Sequence, residues 1–109
     1  MEPRLASLKL FLSKTCGYCQ ELEKEYGDIW HLFGFQVFYL KESDSFDEEY
    51  EKVKDYFKKN NPELLQYEYV VPVLLIEESE ENKMCYIGYP IISKILGDLK
   101  SMFIDKGDR

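Results

Sequence analysis

Basic residues are in short supply here: 14 lysines and arginines stand against 21 acids, leaving a net charge of −7. Nucleic acids and anionic membrane surfaces attract proteins of the opposite sign, so neither is expected as a partner. Histidine is almost missing, with His31 the sole example, and a histidine-based zinc site is thereby excluded. Cysteine is scarce too: three in 109 residues cannot build the disulfide framework of a small secreted domain. No apolar run reaches the roughly 18 residues that would mark a membrane span. Met1-Glu2-Pro3-Arg4 leads into a short strand-like run without a small-residue cleavage site, so no signal peptide and a cytoplasmic location are expected. There is no linker, internal repeat or low-complexity stretch.

What is present suits a folded chain. Apolar residues make up 45% and aromatic residues 16% of the sequence, enough for the hydrophobic core of one domain spanning residues 1–109. A single copy is expected to be the working unit. Seventeen aromatic side chains are mostly core material.

The most informative stretch runs from Leu8 to Gln20. Its apolar part, within residues 7–13, reads as a strand with apolar side chains on both faces, which suits a central position. A short polar turn follows, and then Cys16-Gly17-Tyr18-Cys19 opens a segment with helical spacing. A cysteine at the first turn of a helix meets unpaired backbone N–H groups and the positive end of the helix dipole. Both favour the thiolate, which is the reactive species. The second cysteine, one turn on, can reach back to close a disulfide. Half a zinc site is the competing reading, but no second C-x-x-C or histidine pair completes the coordination. Strand, C-x-x-C, helix is a redox pattern.

The remaining elements follow in order. Cys19, Leu22, Tyr26, Ile29, Trp30 and Phe33 keep helical spacing, Gly27-Asp28 either breaks or weakens that helix, and Gly34 ends it. Residues 35–40 form a second strand, which closes a right-handed parallel β-α-β unit. Ser45 and Glu48 have the spacing of a capping box. Phe46, Tyr50, Val53 and Phe57 mark the buried face of a second helix, with acids early and lysines late. Pro62 to Leu65 suits one further helical turn capped by Asn61. Residues 70–76 read as a third strand, although Pro72 belongs at an edge, bulge or strand start. Glu77 to Lys83 is an acidic turn, with Glu77 to Glu81 as a solvated hairpin tip, before a fourth strand, residues 84–87. Pro90 suits the first turn of a final helix, with Ile92, Ile95, Leu96, Leu99, Met102 and Phe103 as its buried face. The tail from Asp105 to Arg109 is expected to fray.

The order β-α-β-α-β-β-α, with C-G-Y-C after the first strand and Val71-Pro72 opening the third, resembles the thioredoxin fold over about residues 5–104. Only 15 residues precede Cys16, so the chain is similar to the smaller, glutaredoxin-like members of that superfamily. The resemblance implies an α/β architecture: a four-stranded mixed sheet of order 2-1-3-4, with the first and third helices on one face and the second on the other. It implies a thiol–disulfide oxidoreductase in which Cys16 attacks as thiolate and Cys19 resolves. It also matches Pro72 to the family's cis-proline and Val71 to the residue whose backbone pairs with substrate. Gly88 lets the chain pass close to the site. Lys14, two residues before Cys16, is either a solvated loop lysine or a charge beside the thiolate, and Tyr18 is placed for substrate contact at the mouth of the site. Cys85 reads as a buried small hydrophobe, and His31 as structural.

The chain departs from the family at two places. Leu10 stands where thioredoxins carry a buried acid, as in a glutaredoxin. Ile87-Gly88-Tyr89-Pro90-Ile91 replaces the Gly-Gly-aromatic-x-Asp that binds the glutathione carboxylate, so glutathione is expected to be a poor co-substrate. The expected partners are disulfide-containing proteins and a dithiol or flavoprotein reductant. No metal and no cofactor beyond the redox-active disulfide are expected. The same scaffold acting as an isomerase or oxidant is the runner-up. A non-enzymatic binder, with Cys16 ligating an iron–sulfur cluster shared between two copies, is a reading from another class.

Overall fold

A computed structural model describes residues 6–107. The first strand, β1 (Ser7–Leu12), is followed by helix α1 (Gly17–Tyr26), a short 3-10 helix (Trp30–Phe33) and β2 (Phe35–Tyr39). Helix α2 (Phe46–Asn60), a second 3-10 helix (Pro62–Gln66), the hairpin β3 (Val73–Glu77) and β4 (Lys83–Ile87), and helix α3 (Tyr89–Gly107) complete the order.

The sheet runs β2-β1-β3-β4. Strand β1 pairs parallel with β2, from Leu8 opposite Phe35 to Leu12 opposite Tyr39, and antiparallel with β3. Side chains alternate across a strand, so β1 feeds two cores. Leu10 and Leu12 join Leu22, Trp30, Leu74, Ile92 and Leu96 under α1 and α3. Phe11 faces the other way and meets Phe38, Phe46, Tyr50, Val53 and Phe57 under α2. With the order and both layers in place, this is the thioredoxin fold, a four-stranded mixed sheet with helices on both faces. Among the described residues no helix is long and apolar enough to cross a membrane.

Of the two outcomes open at Gly27-Asp28, the helix breaks: Gly27 ends α1, and the chain restarts as a 3-10 helix that stops at Gly34, a left-handed position with φ +78. Several other local expectations are corrected. Ser45 does not form a capping box: its ψ of 6 lies outside the extended region that presents a capping hydroxyl, and its side chain makes no cap hydrogen bond. Ser43 closes that turn instead, its Oγ accepting the Tyr39 N–H at 2.9 Å. Asn61 caps nothing with its side chain; its carbonyl accepts the Leu64 N–H at 3.0 Å.

Strand β3 begins after Pro72, not at Val70, and the Val71–Pro72 peptide is cis. Helix α3 is 19 residues long, about 28 Å at 1.5 Å per residue, and its end overhangs a sheet whose strands span only about 17–20 Å. Met102 is therefore 57% exposed and not part of the core. Helical backbone continues through Gly107, so the expected fraying does not begin at Asp105; Asp108 and Arg109 lie outside the described residues. So do the leader residues Met1–Leu5 and the Phe103 side chain. His31 is exposed and supports no core.

Candidate functional site

The turn between β1 and α1 is built from short hydrogen bonds. Ser13 is buried, its Oγ lies 3.0 Å from Thr15 Oγ1, and the same Oγ accepts the Thr15 N–H at 3.3 Å. Its carbonyl accepts the Cys16 N–H at 3.2 Å. The Gln20 side chain then reaches back to donate to the Lys14 carbonyl at 2.6 Å. These bonds deliver Cys16 to the start of α1.

Cys16 is the N-cap. Its Sγ accepts the Cys19 N–H at 3.2 Å, the position a serine or aspartate oxygen usually takes. Cys16 is half-buried and Cys19 is 2% exposed. Burial pushes the Cys19 thiol up to about 12, and the facing Cys16 sulfur pushes the same way, against the Ser13 backbone. The pair is thus asymmetric: one sulfur reachable, the other enclosed and held protonated.

Three further elements meet the same core as the cysteines: Val71, Tyr39 and Tyr89 all pack there. Pro72 is buried, and its carbonyl accepts the Gly88 N–H at 3.0 Å, which ties the two loops at this end of the sheet together. Gly88 sits at φ +98, which only glycine adopts readily. A Cβ there would meet nothing closer than Pro90 Cδ at 3.8 Å. The glycine thus serves the backbone conformation of this turn. Val71 is half-buried, and among the described residues its backbone N–H and C=O have no protein partner.

The Lys14 ammonium pairs with Glu23 at 3.9 Å and lies 4.0 Å above the Tyr39 ring. Tyr39 donates its hydroxyl to the same Glu23 carboxylate at 3.0 Å. Burial raises the Tyr39 phenol to about 12, with Glu23 adding to the shift. Tyr18 is 65% exposed, and its ring rests 5.5 Å from that of Tyr89, whose hydroxyl donates to Glu25 at 2.8 Å. Leu10 is fully buried.

Sequence reasoning missed Tyr50. It reads as a core residue on the buried face of α2, which it is, at 1% exposure. Its hydroxyl, however, accepts the Val70 N–H at 2.7 Å and donates to the Val70 carbonyl at 2.9 Å. The only signal available was that a buried tyrosine hydroxyl needs a partner. Cys85 is 7% exposed in β4, and among the described residues no three histidine, cysteine or acidic side chains gather as a metal site.

No protein-family model matches this chain, and no curated protein matches it. Among solved structures it is similar to thioredoxin O2 from Arabidopsis thaliana in the oxidized state. That likeness has a TM-score of 0.43 and 17% identity, covering 94% of this chain and 75% of that one.

Proposed function

We propose that this protein is a thiol–disulfide oxidoreductase that reduces disulfides in protein substrates. The observation that carries the reading is the Cys16 sulfur at the first turn of α1, accepting the Cys19 N–H beside an enclosed Cys19 thiol. A negative charge on that sulfur meets an amide donor and the positive end of the helix dipole.

In the first step the Cys16 thiolate attacks one sulfur of the substrate disulfide. A Cys16–substrate disulfide forms, the substrate S–S bond breaks, and the departing thiolate takes up a proton. In the second step Cys19 gives up its proton and attacks Cys16 Sγ. The mixed disulfide breaks, the second substrate thiolate leaves and is protonated, and a Cys16–Cys19 disulfide remains. Two electrons and two protons have passed to the substrate. A dithiol or flavoprotein reductant returns them to the cysteines.

Val71 would offer its free N–H and C=O to an extended substrate segment, with buried Pro72 beside it as the wall of the site and Gly88 tying the loop below. Exposed Tyr18, backed by Tyr89, would flank the substrate. Lys14 is given no direct part in the exchange, since its ammonium is engaged by Glu23 and Tyr39. The glutaredoxin-like subtype, a reducing cytoplasmic setting and a monomeric working unit belong to the same proposal.

The decisive experiment compares reduction of a protein disulfide with reduction of a glutathione mixed disulfide, each coupled to its matched reductase. Turnover of the protein disulfide is expected. Absence of turnover with either, in a folded protein with two titratable thiols at Cys16 and Cys19, would overturn the reading.

A further inference from the structure

The segment that leads into Val71 is gripped by one side chain. Tyr50 comes from α2, 20 residues upstream of Val70, and its single hydroxyl satisfies both main-chain groups of that residue, at 2.7 and 2.9 Å. Its ring is fixed in turn: it stacks on Phe46 at 5.3 Å and meets Phe11 and Tyr69 edge-on at 5.4 and 5.5 Å. Tyr69, the residue before Val70, is itself anchored by its hydroxyl on Asp47 at 2.8 Å. Three residues of the first turns of α2 thus hold two consecutive residues of the loop.

In extended backbone the N–H and C=O of one residue face one side, and those of the next residue face the other. Val71 precedes a proline and is confined to extended conformations. With the Val70 pair consumed by Tyr50 on the α2 side, the Val71 pair is directed away from α2, and it is the pair without a protein partner. Loss of the hydroxyl would orphan both Val70 groups, which would then turn to water or compete for whatever approaches the loop.

We propose that Tyr50 is the positioning residue of the substrate loop: by taking both backbone groups of Val70 it leaves those of Val71 presented, in fixed register, for an extended disulfide-bearing peptide. This rests on the oxidoreductase reading above. Tyr50 touches neither cysteine, so it acts on peptide recognition and not on sulfur chemistry.

Tyr50→Phe keeps the ring and removes only the hydroxyl. The test measures two substrates: a short linear peptide carrying a mixed disulfide, and 2-hydroxyethyl disulfide, which has no peptide backbone. The variant is expected to raise KM for the peptide roughly tenfold with kcat little changed, the scale of one or two lost hydrogen bonds. Its rate on 2-hydroxyethyl disulfide should stay that of the wild type. Amide hydrogen exchange supplies a second readout: in the wild type the Val70 N–H should be protected and the Val71 N–H unprotected, and Tyr50→Phe should release Val70. An active wild type with unchanged peptide KM in the variant, or equal losses on both disulfides, would sink the inference alone. A wild type inert toward both disulfides would sink the oxidoreductase reading and this inference with it. Should Tyr50→Phe fail to fold, the wild-type exchange pattern decides, and a protected Val71 amide overturns the assignment.

Discussion

The backbone N–H of Cys19 points at the sulfur of Cys16, 3.2 Å away. One hydrogen bond therefore does two things: it caps α1 and it couples the two cysteines. Removing the sulfur costs the helix its cap, and charging the sulfur strengthens the cap, because a hydrogen bond to an ionised acceptor is stronger than one to a neutral one.

The first prediction separates the two thiols. Cys16→Ser should abolish turnover while leaving the fold intact, since a serine oxygen is a good N-cap. Cys19→Ser should still carry out the first attack and accumulate a Cys16–substrate disulfide, seen as an added mass that dithiothreitol removes. A trapped adduct in Cys16→Ser, with Cys19→Ser inert, would reverse the roles.

The second concerns high pH. Burial raises the Cys19 and Cys85 thiols from 9.0 to about 12, and the Tyr39 and Tyr50 phenols from 10.0 to about 12. Each group binds its proton more tightly folded than unfolded. Its contribution to stability is full below the unfolded value and is lost as pH climbs towards the folded one. Stability should thus decline from about pH 9 to about pH 12, followed by far-UV circular dichroism. Cys85→Ala removes one such thiol and with it the smaller push that Cys85 exerts on Tyr50, so it should make that decline shallower; a slope unchanged from wild type would count against the burial argument.

How much of this was legible beforehand depends on the distance over which a residue acts. The β1–C-x-x-C–α1 unit could be read because its chemistry is local: an apolar run, a turn, and two cysteines one helical turn apart. The two-faced burial of β1 was visible in Leu10, Phe11 and Leu12 for the same reason. Tyr50 could not be read as more than core, because its partner Val70 is brought to it only by the packing of α2 on the sheet. The direction of Lys14 could not be read, because closeness in sequence to Cys16 says nothing of where a long side chain goes, and Tyr39 and Glu23 offer it a ring and a charge. Ser45 failed as a cap because its backbone, at ψ 6, does not present the hydroxyl to the helix start.

The third prediction tests a buried ion cluster. Lys9 is only 7% exposed in β1, with Glu49 at 2.7 Å and Glu77 at 3.2 Å, and Lys52 lies 3.3 Å from Glu49. The Lys9 hydrogen bond holds the Glu49 carboxyl below the usual carboxylate value, outweighing burial. That contribution is present at neutral pH and is lost as pH falls below the ordinary 4.5 and through the folded value. Glu49→Ala leaves Lys9 with one carboxylate in a nearly dry place, and should cost about 1–3 kcal/mol, less than a fully buried pair because Lys52 and solvent also serve Glu49. Lys9→Met with Glu49→Gln should cost less than Glu49→Ala alone. Urea midpoints of the three proteins, at pH 7 and again at pH 4, check the order.

The last prediction addresses the reductant. Ile91 stands in the first turn of α3, 39% exposed, where the glutaredoxin pattern has an aspartate. The preceding residue is Pro90, which has no N–H, so two successive positions of that turn offer a bound tripeptide neither a side-chain partner nor, at Pro90, a backbone donor. A missing partner for a charged ligand group costs on the order of 1.5–3 kcal/mol, roughly ten- to a hundredfold in affinity. The net charge of −7 adds long-range repulsion of an anionic tripeptide. Glutathione should therefore support turnover poorly, and a dithiol donor or flavoprotein reductase should do better. Ile91→Asp supplies an acceptor for the tripeptide's ammonium group at the helix start, where a carboxylate is also favoured by the dipole. It should raise the glutathione-dependent rate without altering the dithiol-dependent one, and a second glycine inserted before Gly88 should add to the gain. If the unaltered protein already uses glutathione as well as it uses a dithiol, other residues hold the tripeptide, and the role denied to the stretch from Ile87 to Ile91 must be found elsewhere on the surface.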